Sequence, residues 1–301
     1  MLLQLKRKSL LLIMALVSVN CYACSGDDLG GDLAEPPHIK PEGPVKGEGV
    51  TRLVTYNILR FSYDKTQPGG NYETIAGMMK EIEADAVCLN EVDKNTGRSG
   101  GVYQLDRFAR LMGSWDFMYG TAMPYDGGFY GEGVATKEKA VKKEEVPLPQ
   151  GNGREPRVLV VMEMEDYIIM TTNLDHAVEE AHIGQVNALN AYIEENYGSY
   201  KKPIFLGGDL NARTNSPTIA LLKEKWHIIS VLQSTFPSHM PDRTLDYILA
   251  SKNGAEFEGV GTQIPRDFKS GDVKTASDHL PVMVDVKLPP RRKSLCGFCG
   301  Y

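Results

Sequence analysis

The sequence has no excess of basic charge. Its 33 Lys and Arg stand against 39 Asp and Glu, a formal net charge of -6. Broad binding to nucleic acid runs through phosphate contacts from basic side chains, so no stable nucleic-acid complex is expected, although a local basic patch can sit inside an acidic total. Cysteine is scarce, five in 301 residues, and no set of four shows the spacing of a zinc site. No internal repeat is apparent. The apolar stretch from Leu10 to Val19 falls short of the roughly 20 residues an ordinary membrane-spanning helix needs. What remains is globular composition, 42% hydrophobic and 24% charged, in a chain long enough for one large domain or two small ones.

The N-terminus reads as a targeting segment. "MLLQLKRKSLLLIMALVSVNCYAC" sets the basic Lys6, Arg7 and Lys8 before the apolar stretch and places the small Ala23 before Cys24, the pattern of a removed export signal over residues 1–23. A cysteine at the cleavage point resembles the bacterial lipoprotein box, and the following "SGDD" resembles the acidic tag of surface-exported lipoproteins. Cys24 is then the lipidated residue; Cys21 competes, but Asn20 before it suits cleavage less well, and a plain secretory signal is the alternative. Residues 24–49, rich in Gly, Pro and Asp, read as a flexible tether. The expectation is an exported, lipid-anchored protein of the outer membrane or cell surface, and a monomer.

From Arg52 onward strands alternate with amphipathic helices. "RLVTYNILRF" reads as a strand, and "NYETIAGMMKEI" puts Ile75, Met78, Met79 and Ile82 on one helical face; "DAVCLNEVD" is again a strand. "RVLVVMEM" and "YIIMTTNL" flank Glu165-Asp166 as a hairpin, so part of the sheet is antiparallel. "EEAHIGQVNALNAYIEENYG" is a helix closing near Gly198 and leading into the strand of "IFLGGDLNAR"; "TLDYILAS" and "SDHLPVMVDVKL" read as the last two strands. Long apolar strands beside amphipathic helices imply an α/β chain with sheet packed on sheet and helices outside. No Pro/Gly linker divides residues 50–288, so they form one domain, with a basic tail at 289–301 carrying "CGFC".

Polar residues fall at the strand ends: Asn57 in "TYNIL", Glu91 in "LNEVD", Asp209 and Asn211 in "GGDLNAR", Asp246 in "TLDYIL", Asp278 and His279 in "SDHLPV". Strand alternation points Asp209 and Asn211 the same way, a geometry suited to two groups sharing one phosphate or one water. A single Asp-x-Asn usually starts a turn. The ordered set resembles the endonuclease/exonuclease/phosphatase superfamily, over roughly residues 52–288. "GRSGGVYQLDRFARLMG", "MPYDGGFYGEGV" and "FPSHMPDRTLDYI" are similar to its exported bacterial members, described as metal-dependent hydrolases.

The resemblance implies a four-layer α/β sandwich and phosphoester hydrolysis. It implies that Glu91 holds a divalent metal with Asp278 nearby and Asn57 orienting that shell, and oxygen ligands favour Mg²⁺, with Mn²⁺ as a substitute. Asp209 orients or deprotonates a water, and Asn211 donates to a phosphoryl oxygen. His279, held by Asp246, stabilises the charged phosphate or moves a proton. One departure stands out. Relatives of the nuclease and sphingomyelinase type carry Thr-His-Leu where this chain has Thr172-Asn173-Leu174, and an asparagine donates a hydrogen bond but carries no charge. His176 lies within loop reach of the site, with a plain helix-entry position as the competing reading; His38, His182, His227 and His239 read as structural. Cys88 reads as a buried small hydrophobe, and Cys296 with Cys299 as a local disulfide. Two function classes follow: a surface-tethered, Mg²⁺-dependent phosphoesterase acting on a lipid head group, an inositol phosphate or nucleic acid, or a non-catalytic binding lipoprotein on the same scaffold.

Overall fold

The helix read in "NYETIAGMMKEI" and the strands on either side of it form the first parallel unit of the chain. A computed structural model describes residues 45–63, 70–198 and 201–290. The signal segment, Cys24, the first part of the tether, and the tail with Cys296 and Cys299 lie outside the described residues. The elements in chain order are β1 (Thr51–Asn57), α1 (Tyr72–Glu81), β2 (Ala86–Lys94), α2 (Gln104–Leu111), β3 (Asp116–Tyr125), β4 (Gly128–Thr136), β5 (Lys142–Leu148), β6 (Arg157–Glu163), β7 (Ile168–Thr172) and α3 (Glu179–Tyr197). They continue with β8 (Ile204–Asp209), α4 (Pro217–Lys225), β9 (Trp226–Ile228), β10 (Asp246–Ser251), β11 (Glu258–Gln263), α5 (Val273–Ala276) and β12 (Val282–Lys287).

Two mixed six-stranded sheets result, ordered β11-β12-β1-β2-β4-β3 and β5-β6-β7-β8-β10-β9. In each, the two central strands are parallel and joined by a helix, β1-α1-β2 and β7-α3-β8. Three apolar clusters correspond to three interfaces. The first packs sheet one on α1 and α2, through Val54, Val87, Leu89, Met78, Met79 and Phe108. Another packs sheet two on α3 and α4, through Leu159, Met170, Leu206, Leu189 and Leu222. Between the sheets lie Leu53, Ala86, Cys88, Val160, Ile169, Phe205, Ile248 and Val284. The fold is thus the expected helix-sheet-sheet-helix sandwich, its stability resting chiefly on apolar burial at about 25 cal/mol per Å².

Strand alternation assigns each residue to its interface. On β1, Leu53 faces the other sheet and Val54 the helices; on β2, Cys88 faces in and Leu89 out; on β8, Phe205 faces in and Leu206 out. The double glycine of "IFLGGDLNAR" sits where the inner layers pinch. A Cβ on Gly207 would lie 3.0 Å from Cys88 Sγ, and one on Gly208 would fall on the carbonyl oxygen of Thr172. Bulk at either position would push strands apart beside the residues that follow.

Three sequence expectations are adjusted. "RLVTYNILRF" is not one strand: β1 stops at Asn57, and Leu59, Arg60 and Phe61 all take positive φ, 45°, 59° and 53°. The strand β11 intervenes between the two read as the last pair. Asp278 and His279 lie in the loop between α5 and β12 rather than on a strand.

Candidate active site

The inner rows of the sandwich turn from apolar to polar at one end. Continuing each row by two residues leads from Thr55 to Asn57 on β1, from Cys88 to Asn90 on β2, and from Gly207 to Asp209 on β8. Across the antiparallel β8–β10 pair, Asp209 stands directly opposite Asp246. His279 closes the set from its loop. Its Nδ1 lies 2.9 Å from Asp246 Oδ2, its Nε2 3.6 Å from Asp209 Oδ2, and the ring of Phe236 packs on the imidazole at 4.7 Å between centroids. Asp209, Asp246 and His279 are all buried.

Charge at this buried site is arranged by pairing. Burial alone would strip the proton from His279, but the carboxylates of Asp246, Asp209 and Asp278 outweigh it and hold its pKa well above the usual histidine range. The ring is therefore an imidazolium at neutral pH. Burial pushes Asp209 upward, against the pull of that imidazolium, which makes it a stronger base than a solvated aspartate.

Glu91 reaches the site by a different device. Strand phase sends it away from the inner face, but β2 carries a bulge: Leu89 pairs with Gly133 and Val92 with Gly131, so Asn90 and Glu91 together oppose Glu132. Glu91 takes φ 58°, a left-handed conformation that costs a non-glycine residue about 1 kcal/mol. The bulge turns both side chains to use. Asn57 Nδ2 lies 3.2 Å from Glu91 Oε1 and 3.1 Å from Asp209 Oδ2, linking the two sheets' carboxylates, and Arg60 Nη1 lies 2.5 Å from Glu91 Oε2. Asn90 is a second inter-sheet link. Its Nδ2 donates to Glu132, Thr171 and Thr172, and its Oδ1 accepts from the Asp209 backbone N–H.

Asn211 is placed by a turn, not by alternation. The strand β8 stops at Asp209, Asn211 takes φ 48°, and its backbone N–H donates to Asp209 Oδ1 at 2.9 Å. Its Nδ2 donates to Asn173 Oδ1 and to the Leu174 carbonyl, both at 2.9 Å, so donation from this nitrogen to a phosphoryl oxygen would have to replace one of these bonds. A cavity of about 470 Å³ opens onto the site, and Glu91, Asn173, His176, Asp209, Asn211, Asp278 and His279 all line it. Asn57 and Asp246 stand behind this wall, touching its residues. His176 is thus at the cavity rather than outside it, with Nδ1 3.4 Å from Arg157 Nη2. His182 accepts its structural reading, bonding the Asp175 carbonyl from α3, and Cys88 is buried, its Sγ donating to the Met170 carbonyl.

Sequence reasoning missed Asn90, Glu132, Arg60 and Arg157. Asn90 was readable: it continues the inner row of Cys88. The other three depended on the bulge, the left-handed turn after β1, and the start of β6.

The donor chemistry fits a hard divalent cation. Glu91 and Asp209 offer carboxylate oxygens on either side of the Asn57 Nδ2, and the Arg60 guanidinium now sits on Glu91 where a bound cation would take its place. The tightest cluster, with ligand atoms within 4.8 Å, is Asp209, Asp246 and His279. There His279 Nδ1 faces Asp246 and the ring is cationic, so it favours the acid-imidazole pair over imidazole ligation.

A four-layer sandwich with inter-sheet carboxylates, an acid-held imidazolium and an oxygen donor set defines a class of phosphoester hydrolases. Residues 54–279 match the endonuclease/exonuclease/phosphatase family, and the chain belongs to it. That family's members act on phosphoester bonds. Among solved structures the chain resembles a family protein from Bacteroides vulgatus (18% identity over 80% of this chain and 99% of that one, TM-score 0.64). It also resembles a mannosyl-6-phosphatase from Bacteroides thetaiotaomicron (17%, 78% and 99%, TM-score 0.63) and the human Nocturnin catalytic domain with bound sulfate (17%, 80% and 94%, TM-score 0.61). At these identities the likeness speaks to the fold. No curated protein matches the chain.

Proposed function

We propose that this protein is a Mg²⁺-dependent phosphoesterase of the cell envelope, hydrolysing a phosphomonoester or phosphodiester. The observation that carries the reading is the Asp246–His279 pair, 2.9 Å apart, with the free imidazole nitrogen 3.6 Å from Asp209 at the wall of an open cavity. A protein that only binds a ligand has no need of a buried base set beside a buried imidazolium. Asp209, raised by burial, orients the attacking water and accepts its proton. His279 offers an N–H to a phosphoryl oxygen and stabilises charge gained there, and Asp246 fixes the ring's orientation and keeps it protonated. Asn211 holds Asn173 in place at the cavity wall. Glu91, with Asn57 and Asp278 beside it, would hold the cation, with Mn²⁺ as a substitute. Bound there, it supplies Lewis-acid neutralisation of phosphoryl charge.

The substrate class spans a lipid head group, an inositol phosphate, a sugar phosphate or nucleic acid, and the net charge of -6 supports a small or lipid substrate over a stable nucleic-acid complex. The mannosyl-6-phosphatase among similar folds favours a monoester in the panel. The location rests on the sequence alone: a signal over residues 1–23, lipidation at Cys24, a tether to residue 49, and a monomeric domain over residues 50–288 held at the outer membrane or cell surface. Cys24→Ala would then move the protein from the membrane to the soluble fraction, and solubilisation by Cys21→Ala instead would relocate the anchor. The activity is tested by turnover of a panel of phosphomonoesters and diesters with Mg²⁺ and with a chelator. Mg²⁺-dependent release of phosphate or alcohol from at least one member is expected; phosphate-free ligand binding with no turnover across the panel would favour the binding-protein reading.

A further inference from the structure

Two guanidinium groups are buried in this domain, and they are treated differently. Arg52, at the far end of β1, is fully used: Nε and Nη2 donate to the two oxygens of Asp285 at 2.7 Å each, and Nη1 donates to the Ile82 carbonyl. Arg157, at the start of β6, is 3% exposed, yet only Nη2 is engaged, 3.1 Å from Glu155 Oε2 and 3.4 Å from His176 Nδ1. Its Nε and Nη1 meet no acceptor among the described residues. A buried N–H without an acceptor costs about 1–3 kcal/mol, more on a charged group, so such a residue is retained where something else supplies the acceptor.

The place of Arg157 says what that acceptor is. It lines the cavity together with Asn173, Asp209 and His279. On the neighbouring antiparallel strand, Leu159 pairs with Thr172, so the start of β6 runs beside the end of β7, where Asn173 stands in place of a charged ring. Asp209 is close enough to act on its charge. We infer that the guanidinium of Arg157 faces the phosphoryl oxygens of the substrate and supplies the positive charge that Asn173 lacks. A guanidinium spreads its charge over several N–H groups, and that charge does not titrate in the working range. Together with His279 it holds the phosphate from two sides: the imidazolium from the loop before β12 of sheet one, and the guanidinium from β6 of sheet two, beside Asn173. This rests on the phosphoesterase reading above and deepens it by naming the residue that grips the substrate.

The test uses inorganic phosphate as a ligand and the active member of the ester panel as substrate, both in Mg²⁺. Arg157→Ala is expected to lower kcat/KM by about 100-fold and to weaken phosphate binding, measured by calorimetry, by about tenfold or more. Asn173→His in the Arg157→Ala background should recover about tenfold of the loss, while Asn173→His alone gains little, because the charge is already present. Arg157→Gln keeps a planar donor and serves if alanine unfolds the chain; the same losses apply to it. Retention by a folded variant of wild-type phosphate affinity and kcat/KM within threefold would overturn the assignment while leaving the phosphoesterase reading intact. A wild-type protein that neither turns over any ester nor binds phosphate would overturn both.

Discussion

Sheet one and sheet two follow one strand scheme, β11-β12-β1-β2-β4-β3 against β5-β6-β7-β8-β10-β9, with a parallel helix-joined pair at the centre of each and antiparallel neighbours outside. Their polar ends also correspond. Asn57, Asn90 and Glu132 stand on β1, β2 and β4 where Asn173, Asp209 and Asp246 stand at or just past the ends of β7, β8 and β10. The difference lies in the partner of the outer carboxylate. Asp246 meets the imidazole of His279 from the segment before β12, whereas Glu132 has Arg157, at the start of the corresponding β6, as a nearby charge. In sheet two the carboxylate holds the imidazole ring of His279. In sheet one burial pushes the Glu132 carboxyl up to about 8, against the pull of Arg157 and of the Asn90 N–H, so it holds a proton at neutral pH. On the function proposed above, one scaffold gives a reactive half, which would move protons, and a binding half, which would hold cation and phosphate.

That division is broken most severely at His279. His279→Ala should cut turnover by about 100- to 10,000-fold, and Asp246→Asn should act in the same direction and largely non-additively, because the carboxylate works through the imidazole. A double variant whose loss is the product of the single losses would separate the two residues. The pH dependence follows from the raised pKa of His279. Its charge persists through neutrality, so activity that needs the imidazolium holds across neutral pH and falls only as pH rises through the folded-state value. The same shift adds stability that is complete below the unfolded value and is lost as pH rises through the folded one, and His279→Ala removes it.

On the binding half, Glu91→Gln should keep the fold and weaken Mg²⁺ by about tenfold or more, since a neutral amide oxygen serves a hard cation poorly. Unchanged Mg²⁺ affinity by calorimetry would remove Glu91 from the cation site. Asn90→Ala strikes the seam between the halves. It leaves the Asp209 N–H and Glu132 without their shared partner, and a loss of about 2–3 kcal/mol in denaturant unfolding is expected, with turnover falling in step with site geometry rather than with metal affinity.

The sequence carried the architecture further than the site. Period-two strands and the apolar face of Ile75, Met78 and Met79 are local signals, and each interface they imply exists. The site depends on exceptions to those periods. Glu91 faces the cavity because of a bulge, and Asn211 joins Asp209 there because of a left-handed turn, so strand alternation is not what places either. Arg60 sits on a run of three positive-φ residues that no propensity would assign to Leu-Arg-Phe. Arg157 gave no motif at all: an arginine opening an apolar strand reads as a surface cap until the neighbouring strand shows what it lies against.

The smallest effect tests whether Glu132 holds a proton in the fold. With its pKa raised from 4.5 to about 8, the folded protein keeps a proton that the unfolded chain releases. The cost is absent below the unfolded value, grows as pH rises between the two, and is complete above about 8, so wild-type stability should decline across that window on this group's account. Glu132→Gln is neutral at every pH and keeps a carbonyl oxygen for the Asn90 N–H at the position now 2.9 Å away. Melting temperatures of wild type and variant should therefore agree near pH 5 and separate near pH 9, the variant higher. Parallel curves across that range would mean that Glu132 is ionised in the fold. The carboxylate would then pair with Arg157 as Asp246 pairs with His279, and the contrast between the halves would be one of partner alone.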